Sequence, residues 1–189
     1  MPRRGARTFV DSGTVLSTSY RLPLLVCAQR HYLAVAWSPY VAAEVARVAT
    51  REWVKAAIKR AADQGSDEIG RTVIDSMETV RSGIDKAVSA LEQSWSCPSA
   101  DALELASGLI SPLQDEKDWP VLAGAVAAGA QYLLSLDQRS FPHGRGWRNV
   151  VFWHPDTFLT TFFQVDAEAY VDVRLDLADI PQPIPLVPR

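Results

Sequence analysis

Four acids in this 189-residue chain, Asp11, Glu44, Asp118 and Asp137, are of a type and in settings that let carboxylates share a divalent cation. Asp11 and Asp137 each follow a short apolar run, residues 8–10 and 132–136, and an acid just past the carboxyl end of a strand faces the crevice of an α/β sheet. Ionised and unpaired, gathered carboxylates repel one another, so hard cations such as Mg²⁺ or Mn²⁺ are what would hold such a cluster together. Against a phosphodiester, these ions polarise the phosphoryl oxygen, lower the pKa of an attacking water and stabilise the leaving 3′ oxygen. Singly, each acid has a plainer role: Asp118 as a helix cap, Asp11 and Asp137 as turn formers, Glu44 as a solvated helix residue. Their joint placement is what points to a site.

The elements that must position these acids alternate along the chain. Residues 8–11 read as a short strand ending on Asp11, with Ser12 and Gly13 turning after it. A helix is expected near 23–29, and the almost wholly apolar run 32–37 reads as a strand buried on both faces of a parallel sheet. Ser38 can cap the helix that Pro39 begins. On it Val41, Val45 and Val48 form the expected buried stripe, with Glu44 at its edge and the basic residues Lys55, Lys59 and Arg60 farther along. Gly65 and Ser66 mark a break. From Ile69 to Leu91 the apolar residues recur every three or four positions, which predicts a long amphipathic helix packed on a core or a partner. Cys97, Pro98 and Ser99 end it, and a weaker helix covers 102–110. The acidic cluster Asp115, Glu116 and Asp118 then leads into a small-residue helix over 121–130, a strand over 132–136 and Asp137. A last strand at 149–153 and a helix from Pro155 to Phe163 complete an α/β alternation with a mainly parallel sheet.

Five strings in this order resemble the motifs of PIN domains. FVDSG carries Asp11; WSPYVAAEV carries Ser38, Pro39 and Glu44; DWPVLAGAVAAGA carries Asp118; LLSLDQRSFP carries Ser135 and Asp137; and NVVFWHPDTFL is similar to the family's last strand and helix. The resemblance spans roughly residues 8–163 and implies a three-layer α/β/α fold. It also implies a pocket in which Asp11, Glu44, Asp118 and Asp137 bind one or two Mg²⁺ or Mn²⁺ ions, with Ser135 as an orienting hydroxyl. The implied activity is hydrolysis of RNA phosphodiester bonds by a metal-dependent endoribonuclease, and many members are toxins of bacterial toxin–antitoxin pairs, which makes an antitoxin protein an expected partner. Gly13 stands where the family often has Asn, and Ser135 where threonine is commoner. A catalytically weak or inactive PIN-like protein that binds RNA or acts as a scaffold is the alternative, favoured by Gly13 and the acidic net charge. The string VDSGTVLS also resembles the nucleophile loop of haloacid-dehalogenase-like phosphatases, but Gly13 stands where their second aspartate is needed as acid/base.

The expected organisation is a nuclease domain over 1–165 with a helical insertion about 64–98, then an extension over 166–189. Within that extension residues 170–177 alternate like a strand, and a proline-rich arm follows that could pair with a homodimer or inhibitor sheet edge. Net charge of −3 speaks against binding nucleic acid by bulk electrostatics, but arginines need only be local. Arg139, Arg145 and Arg148 lie on a glycine-containing segment expected to be a flexible loop that steers the RNA backbone. Cys27 and Cys97 are expected to be free, buried thiols. With no apolar leader and no spanning stretch, a cytoplasmic protein without membrane contact is expected. His31, His143 and His154 lack zinc spacing.

Overall fold

Thr8, Phe9 and Val10 are β-branched or aromatic and fully buried, which fits the place of β1 (Ala6–Val10) inside a five-stranded sheet. The computed structural model describes residues 1–63, 69–109, 116–180 and 186–188, with the side chains of 69–76, 79 and 80 outside that description. The break expected at Gly65 and Ser66, the acid Asp115 and the prolines of 181–185 all fall outside the described residues.

The other strands are β2 (Leu33–Ala36), β3 (Tyr132–Leu134), β4 (Gly146–Trp147) and β5 (Val150–Trp153). Their order is β2-β1-β3-β5-β4, parallel except where β4 pairs antiparallel with β5. Consecutive residues Phe9 and Val10, and again Leu133 and Leu134, are completely buried, so both faces of the central strands are covered, as in a layered α/β fold. From β1 the chain crosses to β2 on one side, and β3 lies on the other. The sheet therefore changes winding direction between β1 and β3, and the crevice opens at their carboxyl ends.

Helix α1 (Ser12–Leu16), α2 (Thr18–Gln29) and α3 (Pro39–Asp63) occupy the first third of the chain, then α4 (Ile69–Ser94), α5 (Ala100–Leu109) and α6 (Trp119–Ala127). Two more, α7 (Pro155–Val165) and α8 (Ala167–Asp179), close it. The amide of Val41 donates 3.3 Å to Ser38 Oγ, so the serine caps α3 as its sequence suggests. The buried row of α3 continues through Val41, Val45 and Ala49 to Ala57 and Ala61, so Ala49, and not Val48, extends the stripe. α4 packs along this helix as a hairpin. It runs three residues past Leu91, and Ser96 then bridges to Ala36 at the outer edge of β2.

The turn expected at Ser12 and Gly13 is the first turn of α1, and three further expectations change. β3 ends at Leu134, so Ser135 and not Asp137 stands first beyond the strand. Residues 170–177, whose alternation suggested a strand, lie within α8; a helix satisfies the backbone locally and lets Ala169 and Val173, four apart, be buried together. Arg4 pairs with Asp166 and Glu168, Arg30 with Asp176 and Tyr32 with Asp172, fastening α8 to the body. Beyond it Leu186 is buried and its carbonyl accepts from Trp53 Nε1 at 3.1 Å, so this end of the chain packs on its own α3. Third, of the two free thiols only Cys27 is buried, its pKa pushed up to about 12 by desolvation and then by nearby Asp166; Cys97 is exposed.

Candidate functional site

Asp11 leaves β1 and immediately caps α1: its Oδ1 accepts the amide of Thr14 at 2.9 Å. Its other oxygen, Oδ2, accepts the hydroxyl of Ser135, the residue that follows β3. The backbone draws the same elements together, since the Asp11 amide donates to Leu134 O at 3.1 Å and the Thr14 hydroxyl donates to that carbonyl at 3.0 Å. Asp11 is only 8% exposed and Ser135 1%. Burial raises the Asp11 pKa, the Ser135 and Thr14 hydrogen bonds pull it back, and the negative charge of Glu44 pushes it up again.

Glu44 thus projects from α3 close enough to act on Asp11, with its carboxylate partly exposed and Arg47 Nη2 3.7 Å from Oε1. Asp118 is the N-cap residue of α6 in a helical backbone conformation and makes no side-chain capping bond. The helix it precedes lies very close to the sheet: a Cβ at Gly124 would meet the Phe9 ring at 2.5 Å and Ser38 Cβ at 3.2 Å.

Asp137 is turned into its own loop. Its carboxylate accepts from the amides of Arg139 at 2.9 Å and Ser140 at 3.2 Å, and from the Ser140 hydroxyl at 2.9 Å. Partial burial pushes this acid up, but the Ser140 and Arg139 contacts outweigh it and hold the pKa below the usual value. Its amide donates to Ser135 Oγ at 3.0 Å, which places the loop beside the Asp11 pair. Among the described residues no three His, Cys, Asp or Glu side chains form a ready metal-binding group. Asp11 and Glu44 nonetheless fit the chemistry of Mg²⁺ or Mn²⁺: both are hard oxygen donors, the charge of Glu44 disfavours ionisation of Asp11, and such ions commonly take one or two protein carboxylates.

The arginine segment is more ordered than its glycines suggest. Gly144 and Phe152 are hydrogen-bonded through the backbone, as are Phe152 and Arg145, and β4 forms a hairpin with β5 in which Arg148 has φ of 53°. Gly146 is needed there, since a Cβ would lie 2.5 Å from Val150 O. Arg148 stacks 4.7 Å from the Trp147 ring centre and donates to Leu109 O at 3.4 Å, and it is exposed, as are Arg139 and Arg145.

Three contacts near the site lie outside the motif pattern: those of Thr14, Arg21 and the His143–His154 pair. Thr14 braces Asp11; the Asp-Ser-Gly-Thr order, a capping residue three before a hydroxyl, is the signal that could have found it. Arg21, only 4% exposed, donates to Val15 O at 2.9 Å at the far end of α1, and burial lowers its pKa to about 10. His143 and His154 have ring centres 5.2 Å apart, and His143 Nε2 is buried without a hydrogen bond among the described residues. The His143 pKa is lowered, by burial first and then by His154, against the Ser135 carbonyl.

Fold and site define a class: an α/β protein with a mostly parallel five-stranded sheet and, where its winding reverses, a buried Asp11 carboxylate that feels the negative charge of Glu44. Set against protein-family models, curated proteins and solved structures, the chain matches none of them.

Proposed function

We propose that the protein is a metal-dependent endoribonuclease of the PIN type. The observation that carries this reading is the buried Asp11 carboxylate, fixed by Ser135 and Thr14 at the switch point and acted on by Glu44. Asp11 and Glu44 would hold Mg²⁺ or Mn²⁺, joined by Asp118 and Asp137 as the PIN resemblance implies. When bound, the ion supplies charge neutralisation at the phosphoryl oxygens and activation of a water. The chain's own part is to orient Asp11 through the Ser135 hydroxyl, and to present Arg139, Arg145 and Arg148 to the RNA backbone. The toxin role, with an antitoxin partner, belongs to the same proposal and predicts growth arrest on expression in a bacterium.

A second reading, a PIN-like RNA-binding or scaffold protein without activity, is favoured by the engagement of Asp137 with Ser140 and Arg139. One experiment separates the two. Purified protein with Mn²⁺ should cut single-stranded RNA, and Asp11→Asn and Glu44→Gln should each remove nearly all of that cleavage. Undiminished cleavage in both variants, or none in the wild type over a range of RNAs, would overturn the nuclease reading.

A further inference from the structure

The solvent side of α3 carries Arg47, Arg51, Lys55 and Lys59, four cations at strict four-residue spacing. The buried side is also a four-residue row, Val41, Val45, Ala49, Ala57 and Ala61, with the half-buried Trp53 at the position between Ala49 and Ala57. The two rows are offset by two residues, about 200° around a helix of 3.6 residues per turn, so the core-facing row leaves the basic one facing water. Arg47, Arg51 and Lys55 expose 63%, 53% and 62% of their side chains. A four-residue step advances about 6 Å, so the ridge runs about 18 Å along the helix.

Its starting point gives the ridge a direction. Arg47 contacts Glu44, the acid that acts on Asp11, and the remaining cations lead away from that site. Glu52 lies between Arg51 and Lys55, at 2.9 Å and 3.1 Å from their nitrogens, and offsets one positive charge. Exposed pairs of this kind contribute little, so a phosphate can take the place of Glu52 without much loss. A line of regularly spaced cations matches a line of regularly spaced phosphates, and a flexible single strand can adjust its backbone to the inclined row.

We infer that this ridge is a track for the backbone of single-stranded nucleic acid, holding the strand on one side of the phosphate that enters the Asp11–Glu44 site. The inference rests on the nuclease reading for the choice of nucleic acid as the partner.

The test is fluorescence anisotropy of a labelled oligouridylate with the full chain in chelator, so that binding is read without cleavage. Arg51→Gln, Lys55→Gln and Lys59→Gln together keep good helix formers on an exposed face, and circular dichroism checks the fold. Log affinity against log salt should lose about 2 from its slope, roughly 0.7 for each phosphate contact removed, and affinity at low salt should fall about tenfold or more. An unchanged slope, or no binding by the wild type, overturns the track. Equal, equally ridge-dependent binding of polyglutamate would overturn it too, assigning the ridge to an acidic protein partner. Ridge-dependent binding by a protein that never cuts RNA would support the track while the nuclease reading fails.

Discussion

The Ser135 hydroxyl donates to Asp11 Oδ2 across the gap between β3 and β1, so one buried hydrogen bond ties the two strands at the point where the sheet reverses its winding. Both groups are nearly inaccessible to water, and Asp11 has Glu44 near it as a like charge. The site therefore carries unfavourable electrostatics that removal of charge or a cation would relieve.

Asp11→Asn should stabilise the metal-free protein. The Asp11 pKa is raised on folding, so between its unfolded and folded values the folded chain holds the extra proton and stability falls as pH rises. The melting temperature of the variant in chelator should exceed that of the wild type by about 2–4 °C near neutral pH, the scale of about 1 kcal/mol for a chain of this size. That advantage should shrink at an acid pH, as the pH falls through the raised folded value toward the unfolded one. Calorimetry at the two pH values checks this, and a variant that melts lower at neutral pH would refute it.

Ser135→Ala removes a donor from a buried carboxylate and an acceptor from the Asp137 amide. A loss of about 1–3 kcal/mol in urea unfolding near neutral pH is expected, the cost of leaving a buried charged group short of a partner. A midpoint equal to that of the wild type would mean that water replaces the hydroxyl freely.

Gly124→Ala adds a methyl where the Phe9 ring already stands at 2.5 Å from the ideal position. Overpacking of this kind costs about 1–3 kcal/mol, because either Phe9 leaves its place or α6 moves off the sheet. Urea unfolding measures the loss, while Gly108→Ala, where nothing lies within 4 Å, should be neutral or stabilising.

Asp166 caps α8 through the Ala169 amide and pairs with Arg4. Asp166→Ala should cost about 1–2 kcal/mol near neutral pH, chiefly through the cap, and Asp166→Asn less, since Asn also caps and the Arg4 pair is partly exposed. The Arg4 contact, ahead of opposing burial, holds the Asp166 pKa below its ordinary value. Its stabilisation is therefore present above the unfolded value and lost as pH falls through the folded one. Unfolding followed down the acid range should show the wild type and Asp166→Asn converging, and a constant gap would contradict the assignment.

Periodicity and capping chemistry are local, and they determined the strand before Asp11, the α3 start at Ser38 and Pro39, and the long helix from Ile69. The spacing of 170–177 misled because alternation over so few residues fits a strand, yet burial of Ala169 and Val173 together needs a helix. Only the fold decided how the acids are used. Asp11 and Glu44 approach because α1, which Asp11 caps, packs on α3, a contact between separate elements of the fold. Which of Ser135 and Asp137 follows β3 depended on where strand pairing stops, and that set Ser135 on Asp11 and turned Asp137 toward Ser140. The basic ridge lies between these cases. Its four-residue spacing is written in the sequence, but its exposure follows from the row of small apolar side chains on the opposite face of α3.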